Sequence, residues 1–153
     1  MNRRQLFAAL AAGLAFVPVA ATPAAAEKAR IYTGFLSNAA VGGYDPVAYF
    51  REGMPVEGKA AHSMEWMGAD WYFASAENLD AFRAAPEKYA PQYGGYCAYG
   101  VAQNAAVKGD PMYWTIRDGK LYLNITEDVQ RKWEADIPGY IRKAEANWPG
   151  VLN

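Results

Sequence analysis

Cysteine and histidine are almost missing from the sequence: one of each occurs in 153 residues, Cys97 and His62. A single thiol cannot close an internal disulfide, so a disulfide-stapled scaffold is excluded. An excess of one charge is missing too, with 15 Lys and Arg against 16 Asp and Glu. Without a basic patch the chain has no electrostatic footprint for nucleic acid. It does not read as disordered, because 52% of its residues are hydrophobic and its formal net charge is only -1. The length suits one domain.

The N-terminus differs from the rest. Met1-Asn2-Arg3-Arg4 is a short basic region, Leu6 to Ala21 is an apolar run interrupted by Gly13 and Pro18, and Ala24-Ala25-Ala26 places small residues before Glu27. This three-part layout predicts an export signal, residues 1–26, cleaved after Ala26. The run is short and alanine-rich for a spanning helix, so no stable membrane span is expected after cleavage. Arg3-Arg4 followed by Gln5-Leu6-Phe7 resembles a twin-arginine signal, with general secretion as the alternative route. The expected location is the periplasm, as a soluble protein. Cleavage leaves 127 residues, with 16 acidic against 13 basic side chains and 20 of the 22 aromatics. Such a chain can fold without disulfides around an aromatic core.

The mature stretch reads as one domain without linker or repeat. Residues 27–43, ending in Val41-Gly42-Gly43, are expected to form a flexible arm, and residues 44–149 the domain with a helical extension. Tyr44-Asp45-Pro46 reads as a turn into a short apolar strand over 47–50. Ala61 to Trp66 and Asp70 to Ala74 read as a hairpin. Ser75 is a helix cap for a segment whose Leu79 and Phe82 share a face, and Pro86 ends that helix.

Residues 89–100 contain four tyrosines and three glycines. Glycine permits backbone shapes closed to other residues, and tyrosine joins an apolar ring to a polar tip. Met112 to Arg117 and Lys120 to Asn124 flank Asp118-Gly119, a strong hairpin signal. Thr126 opens a helix carrying Val129, Trp133 and Ile137 on one face, which Pro138-Gly139 should break or kink. The fold class is therefore α+β: a small antiparallel sheet of hairpins with helices packed on one side.

Asp45-Pro46-Val47-Ala48, Trp71-Tyr72-Phe73-Ala74-Ser75-Ala76-Glu77-Asn78-Leu79-Asp80-Ala81-Phe82 and Ala85-Pro86-Glu87-Lys88-Tyr89 resemble the YHS domain in order and spacing. The Tyr93-Gly94-Gly95-Tyr96-Cys97-Ala98 block, Trp114 to Asn124 and Trp133 to Gly139 look like its extended exported bacterial form. The likeness runs roughly from Gly43 to Pro149. It implies a YHS-like fold and a link to metal handling. Metal-binding members carry cysteines where this chain has Ala48, Ala74 and Asn78. Alanine has no donor atom, and a neutral amide is a poor ligand for a soft metal.

Other chemistry would have to come from elsewhere. His62 and Cys97 are the candidate metal ligands, with copper, iron or haem as the possible cofactors. Against this, two donors far apart in sequence show no ligand spacing. Cys97 also reads as a small buried hydrophobe, or as a reactive thiol if the Gly94-Gly95 turn feeds a helix start. Tyr44, Asp45, Tyr93, Tyr96, Cys97 and Tyr99 are the candidate ligand-binding residues, since Asp-Pro and Gly-Gly turns can hold tyrosines at a surface rim. Asp45 can instead use its carboxylate on local amides. The sequence shows no Ser/His/Asp set, phosphate loop or nucleotide fingerprint. The leading expectation is a non-enzymatic binding or accessory module for a small ligand or a metal-handling partner. A copper, iron or haem protein, and a thiol-dependent enzyme at Cys97, are the alternatives.

Overall fold

A computed structural model describes residues 26–153. The export signal expected over 1–26 lies, apart from Ala26, outside the described residues. Among the described residues there are six α-helices and two antiparallel hairpins, each a separate two-stranded sheet. This is the expected α+β class. No helix among them is long and apolar enough to cross a membrane.

The first hairpin pairs β1 (Lys59–Trp66) with β2 (Ala69–Phe73), and the second pairs β3 (Asp110–Arg117) with β4 (Lys120–Asn124). Both are irregular in the same way. Lys59 pairs with Phe73 but Ser63 with Tyr72, so residues 60–62 have no partners on β2. Asp110 pairs with Asn124 but Trp114 with Leu123, leaving 111–113 in the equivalent bulge. Each hairpin runs through one residue into a capped helix. Ser75 Oγ accepts from Asn78 N at the start of α2 (Ala76–Ala84), and Thr126 Oγ1 accepts from Val129 N at the start of α5 (Glu127–Glu134). A capping hydroxyl of this kind satisfies an amide that the helix itself leaves open.

These correspondences extend to an internal repeat, which overturns the expectation of a chain without one. Strand ends and helix starts recur 51 residues later: Lys59 and Asp110, Trp66 and Arg117, Ala69 and Lys120, Phe73 and Asn124, Ala76 and Glu127. Both hairpin tips carry two residues with positive φ, Met67-Gly68 and Asp118-Gly119. Upstream, Val41-Gly42-Gly43 and Tyr93-Gly94-Gly95 share an all-positive φ run. Gly58 N donates to Gly43 O at 2.9 Å, and Gly109 N to Gly95 O at 3.1 Å. Asp45 N donates to Val56 O at 2.8 Å, and Cys97 N to Val107 O at 2.9 Å. The packing repeats as well: Trp71 lies on Phe82 at 4.9 Å between ring centroids, and Tyr122 on Trp133 at 5.1 Å.

Two segments depart from expectation. The apolar run after Asp45-Pro46 is α1 (Ala48–Arg51), not a strand. Asp45 explains this, because its Oδ1 accepts from Val47 N at 2.8 Å and Ala48 N at 3.3 Å and so supplies a helix start. Residues 27–43 are anchored to the fold at several points rather than forming a free arm, although 34–38 are exposed. Lys28 N donates to Leu152 O at 2.9 Å, Tyr32 N to Gly94 O at 2.8 Å, and Ile31, Ala40 and Val41 are buried. Between the halves, α3 (Pro86–Tyr89) begins with its proline in the first turn, where the missing N–H costs nothing.

The core has two regions. The first collects Trp71, Phe73, Phe82, Val47 and Tyr49 with Leu121 and Leu123 from the second hairpin. The second gathers Tyr93, Tyr96, Tyr122 and Trp133 against α4 (Ala98–Ala102) and α6 (Ile137–Asn147). The C-terminal helix divides one turn earlier than expected. Asp136 Oδ1 accepts from Gly139 N at 3.0 Å and caps α6, so Pro138 sits in a first turn instead of breaking a continuous helix.

Candidate functional site

In the first half the chemistry centres on Asp45, which is fully buried. Its Oδ1 holds the amides of Val47 and Ala48. Its Oδ2 accepts from Ala74 N at 2.8 Å and from the Asn78 side-chain amide at 2.7 Å. Asn78 Oδ1 in turn accepts from Arg51 Nη1 at 3.0 Å. Ala48, Ala74 and Asn78 are the three positions where the family resemblance expects thiolates, and each donates an N–H to this one carboxylate. Both Asp45 oxygens are engaged by donors, the alanines offer no ligand atom, and the Asn78 amide is committed at both ends. These residues do not fit a thiolate metal centre.

Cys97 occupies the equivalent node of the second half. It is fully buried and caps α4, where its sulfur accepts from Gly100 N at 3.4 Å. The thiol also donates to Asn124 Oδ1 at 3.5 Å, and that oxygen accepts from Tyr99 N at 3.1 Å. Burial raises the pKa of the thiol, opposed by the amides of Gly100, Ile125 and Tyr99. Desolvation dominates, which keeps the sulfur protonated and weakly nucleophilic. Asn124 Nδ2 is buried without a hydrogen-bond partner among the described residues.

His62 stands apart from this group. It is half-buried in the bulge of β1, in the first half of the repeat, and Cys97 is in the second. Among the described residues no group of three or more His, Cys, Asp or Glu side chains is placed to hold a metal ion.

The tyrosines divide by role. Tyr96 is buried rather than at a rim; its hydroxyl donates to Ala29 O at 2.8 Å and its ring meets Tyr32. Tyr99 is half-buried against Tyr140, with 5.1 Å between ring centroids. Tyr44 is half-buried in the turn that bridges to Glu57. Tyr93 is largely buried, with φ at +56°, and burial raises the pKa of its phenol, with smaller contributions from Tyr122 and Glu145.

Tyr93 is the one expected ligand residue that lines a cleft of about 400 Å³. Around it stand Arg30, Trp66, Glu87, Lys120 and Trp148. They come from the N-terminal segment, both hairpin tips, α3 and the C-terminal end of α6, so the cleft lies where the two halves and both ends of the described chain meet. No local motif announces such a convergence. The duplicated Gly-Gly-Tyr turn, at residues 42–44 and 94–96, was the available sign of the repeat that creates it.

Residues 47–93 match the YHS domain, a family linked to metal handling. The match covers the first half of the repeat from Val47 onward, leaving out Asp45 and the turn before it, and stops where the second half begins. Neither the comparison with curated proteins nor that with solved structures gives a match.

Proposed function

We propose that this protein is an exported, non-enzymatic binding module that holds a small ligand or serves a metal-handling partner without a thiolate metal centre of its own. The observation that carries this reading is the Asp45 node. A carboxylate fully withdrawn from solvent takes four N–H donors, three of them from the positions where the family resemblance expects thiolates, so the site organises backbone instead of offering metal ligands. The buried, protonated Cys97 supports the same view, since a thiol without a nearby base is a poor nucleophile. Export rests on the N-terminal pattern of residues 1–26.

Metal analysis, a visible spectrum and native mass spectrometry of protein purified from the exported fraction test the proposal. The expected result is no stoichiometric metal or haem band after reconstitution with copper, iron or haem, and an organic molecule released on unfolding. A metal or haem bound one to one, and lost in Cys97→Ser or His62→Ala, overturns it.

A further inference from the structure

We infer that the cleft between the two halves is a binding site for a small organic anion with an apolar, planar body; this rests on the binding-module reading and names its ligand class. Arg30 and Lys120 line the cleft, are exposed, and make no ion pair or side-chain hydrogen bond among the described residues. Glu87 is the one carboxylate on the lining, so the balance is one positive charge. Cations held beside a cleft without protein partners favour a negatively charged occupant.

Half-buried indole rings supply the rest. Trp66 is fixed edge-on against Trp71 and Phe82, and Trp148 is held by Tyr93 and Tyr96. Each ring is therefore positioned by the core before any ligand arrives. Rigid aromatic walls cost little ordering entropy and suit a flat apolar body, while the cations orient its charged end. The volume of about 400 Å³ falls within the range of small-molecule sites. At the lip, Met67 is exposed at the tip of the first hairpin, in the position that Asp118 holds in the second.

Fluorescence titration with anilinonaphthalene sulfonate tests this, with neutral phenylnaphthylamine as the same body without charge and inorganic phosphate as charge without the body. The wild type is expected to bind the sulfonate one to one, more tightly than the neutral analogue, and phosphate is expected to compete weakly. Arg30→Gln and Lys120→Gln should each weaken the sulfonate about tenfold, a typical loss for one charge-assisted contact, and leave the neutral analogue unchanged. Met67→Asp copies the turn chemistry of Asp118-Gly119, so the fold is kept while a carboxylate enters the lip; it should weaken the sulfonate selectively. Equal sulfonate binding by wild type and all three variants, as dye adsorbed on exposed Phe35 and Leu36 would give, overturns the inference. So does neutral analogue bound as tightly as sulfonate. An organic ligand bound elsewhere sinks the cleft and spares the module, whereas a stoichiometric metal sinks the module itself.

Discussion

Asn78 donates its side-chain amide to the buried Asp45 carboxylate at 2.7 Å, joining residues 33 positions apart. Through this contact the start of α2 is tied to the start of α1, and Arg51 is tied to both. Asp45→Ala would leave three donors, Val47 N, Ala74 N and the Asn78 amide, without an acceptor, while Ala48 N keeps the backbone carbonyl of residue 45, and each buried orphan costs about 1 to 3 kcal/mol. The expected loss is at least about 3 kcal/mol in denaturant unfolding, enough to leave little folded protein. Asp45→Asn is nearly as damaging, because its amide nitrogen would face Ala74 N and the Asn78 amide, both donors. Asn78→Ala should cost about 1 to 3 kcal/mol. A double-mutant cycle between the two positions that gives no coupling would show that the contact is not stabilising.

Alkaline stability follows from buried phenols and the thiol. Burial raises the folded-state pKa of Cys97 above 9.0 and those of Tyr49, Tyr93, Tyr96 and Tyr122 above 10.0. The folded state therefore holds these protons more tightly than the unfolded chain does. Their contribution is complete below the unfolded values and is lost as pH rises through and beyond them. Thermal unfolding should show a midpoint that these groups leave unchanged between neutral pH and about pH 8.5 and a progressive fall above it, steeper past about pH 10. A midpoint unchanged between these pH values would contradict the burial of these groups.

Local signals were readable in the sequence. The Ser75 and Thr126 caps, the Asp118-Gly119 tip and the first hairpin depend on side chains acting within a few residues, and all form as expected. The apolar run Val47 to Phe50 reads as a strand yet forms a helix, because four residues are too few to separate a strand from a buried helix by period. Asp45 decides the matter through its side-chain acceptors. Residues 27–43 looked free because their partners, Gly94, Leu152 and Asp70, are remote in sequence. The cleft escaped for the same reason, since Arg30, Trp66, Lys120 and Trp148 share no element. The repeat had a sequence trace in two Gly-Gly-Tyr turns, but the intervening side chains differ so much that Asp45 stands opposite Cys97.

The packed N-terminal segment can be released by one methyl group. Gly94 has φ at +62°, its carbonyl accepts from Tyr32 N at 2.8 Å, and a Cβ there would overlap the Arg30 carbonyl oxygen. Gly119 has a similar φ of +72° with open space around it. Gly119→Ala should then cost only the strain of a left-handed alanine, about 1 kcal/mol, while Gly94→Ala adds a steric clash and should cost clearly more. Limited proteolysis should cut Gly94→Ala within residues 27–33 faster than wild type or Gly119→Ala. Equal stability of the two variants would mean that the segment does not pack on this turn.

Cys97 and Asp45 hold equivalent nodes, each accepting an amide at the start of a short helix next to the end of a strand. This assigns Cys97 an architectural role that alkylation can check. Fully buried and raised in pKa, the thiol should react with iodoacetamide at neutral pH at least about tenfold more slowly than a free cysteine. Its rate should rise with denaturant in parallel with the open population, as for any group that reacts only after opening. Cys97→Ser keeps an acceptor for Gly100 N and should be more stable than Cys97→Val, whose methyl groups leave that amide without a partner. Rapid labelling of native protein, or a valine variant as stable as the serine one, would remove Cys97 from the framework and return it to the candidates for chemistry.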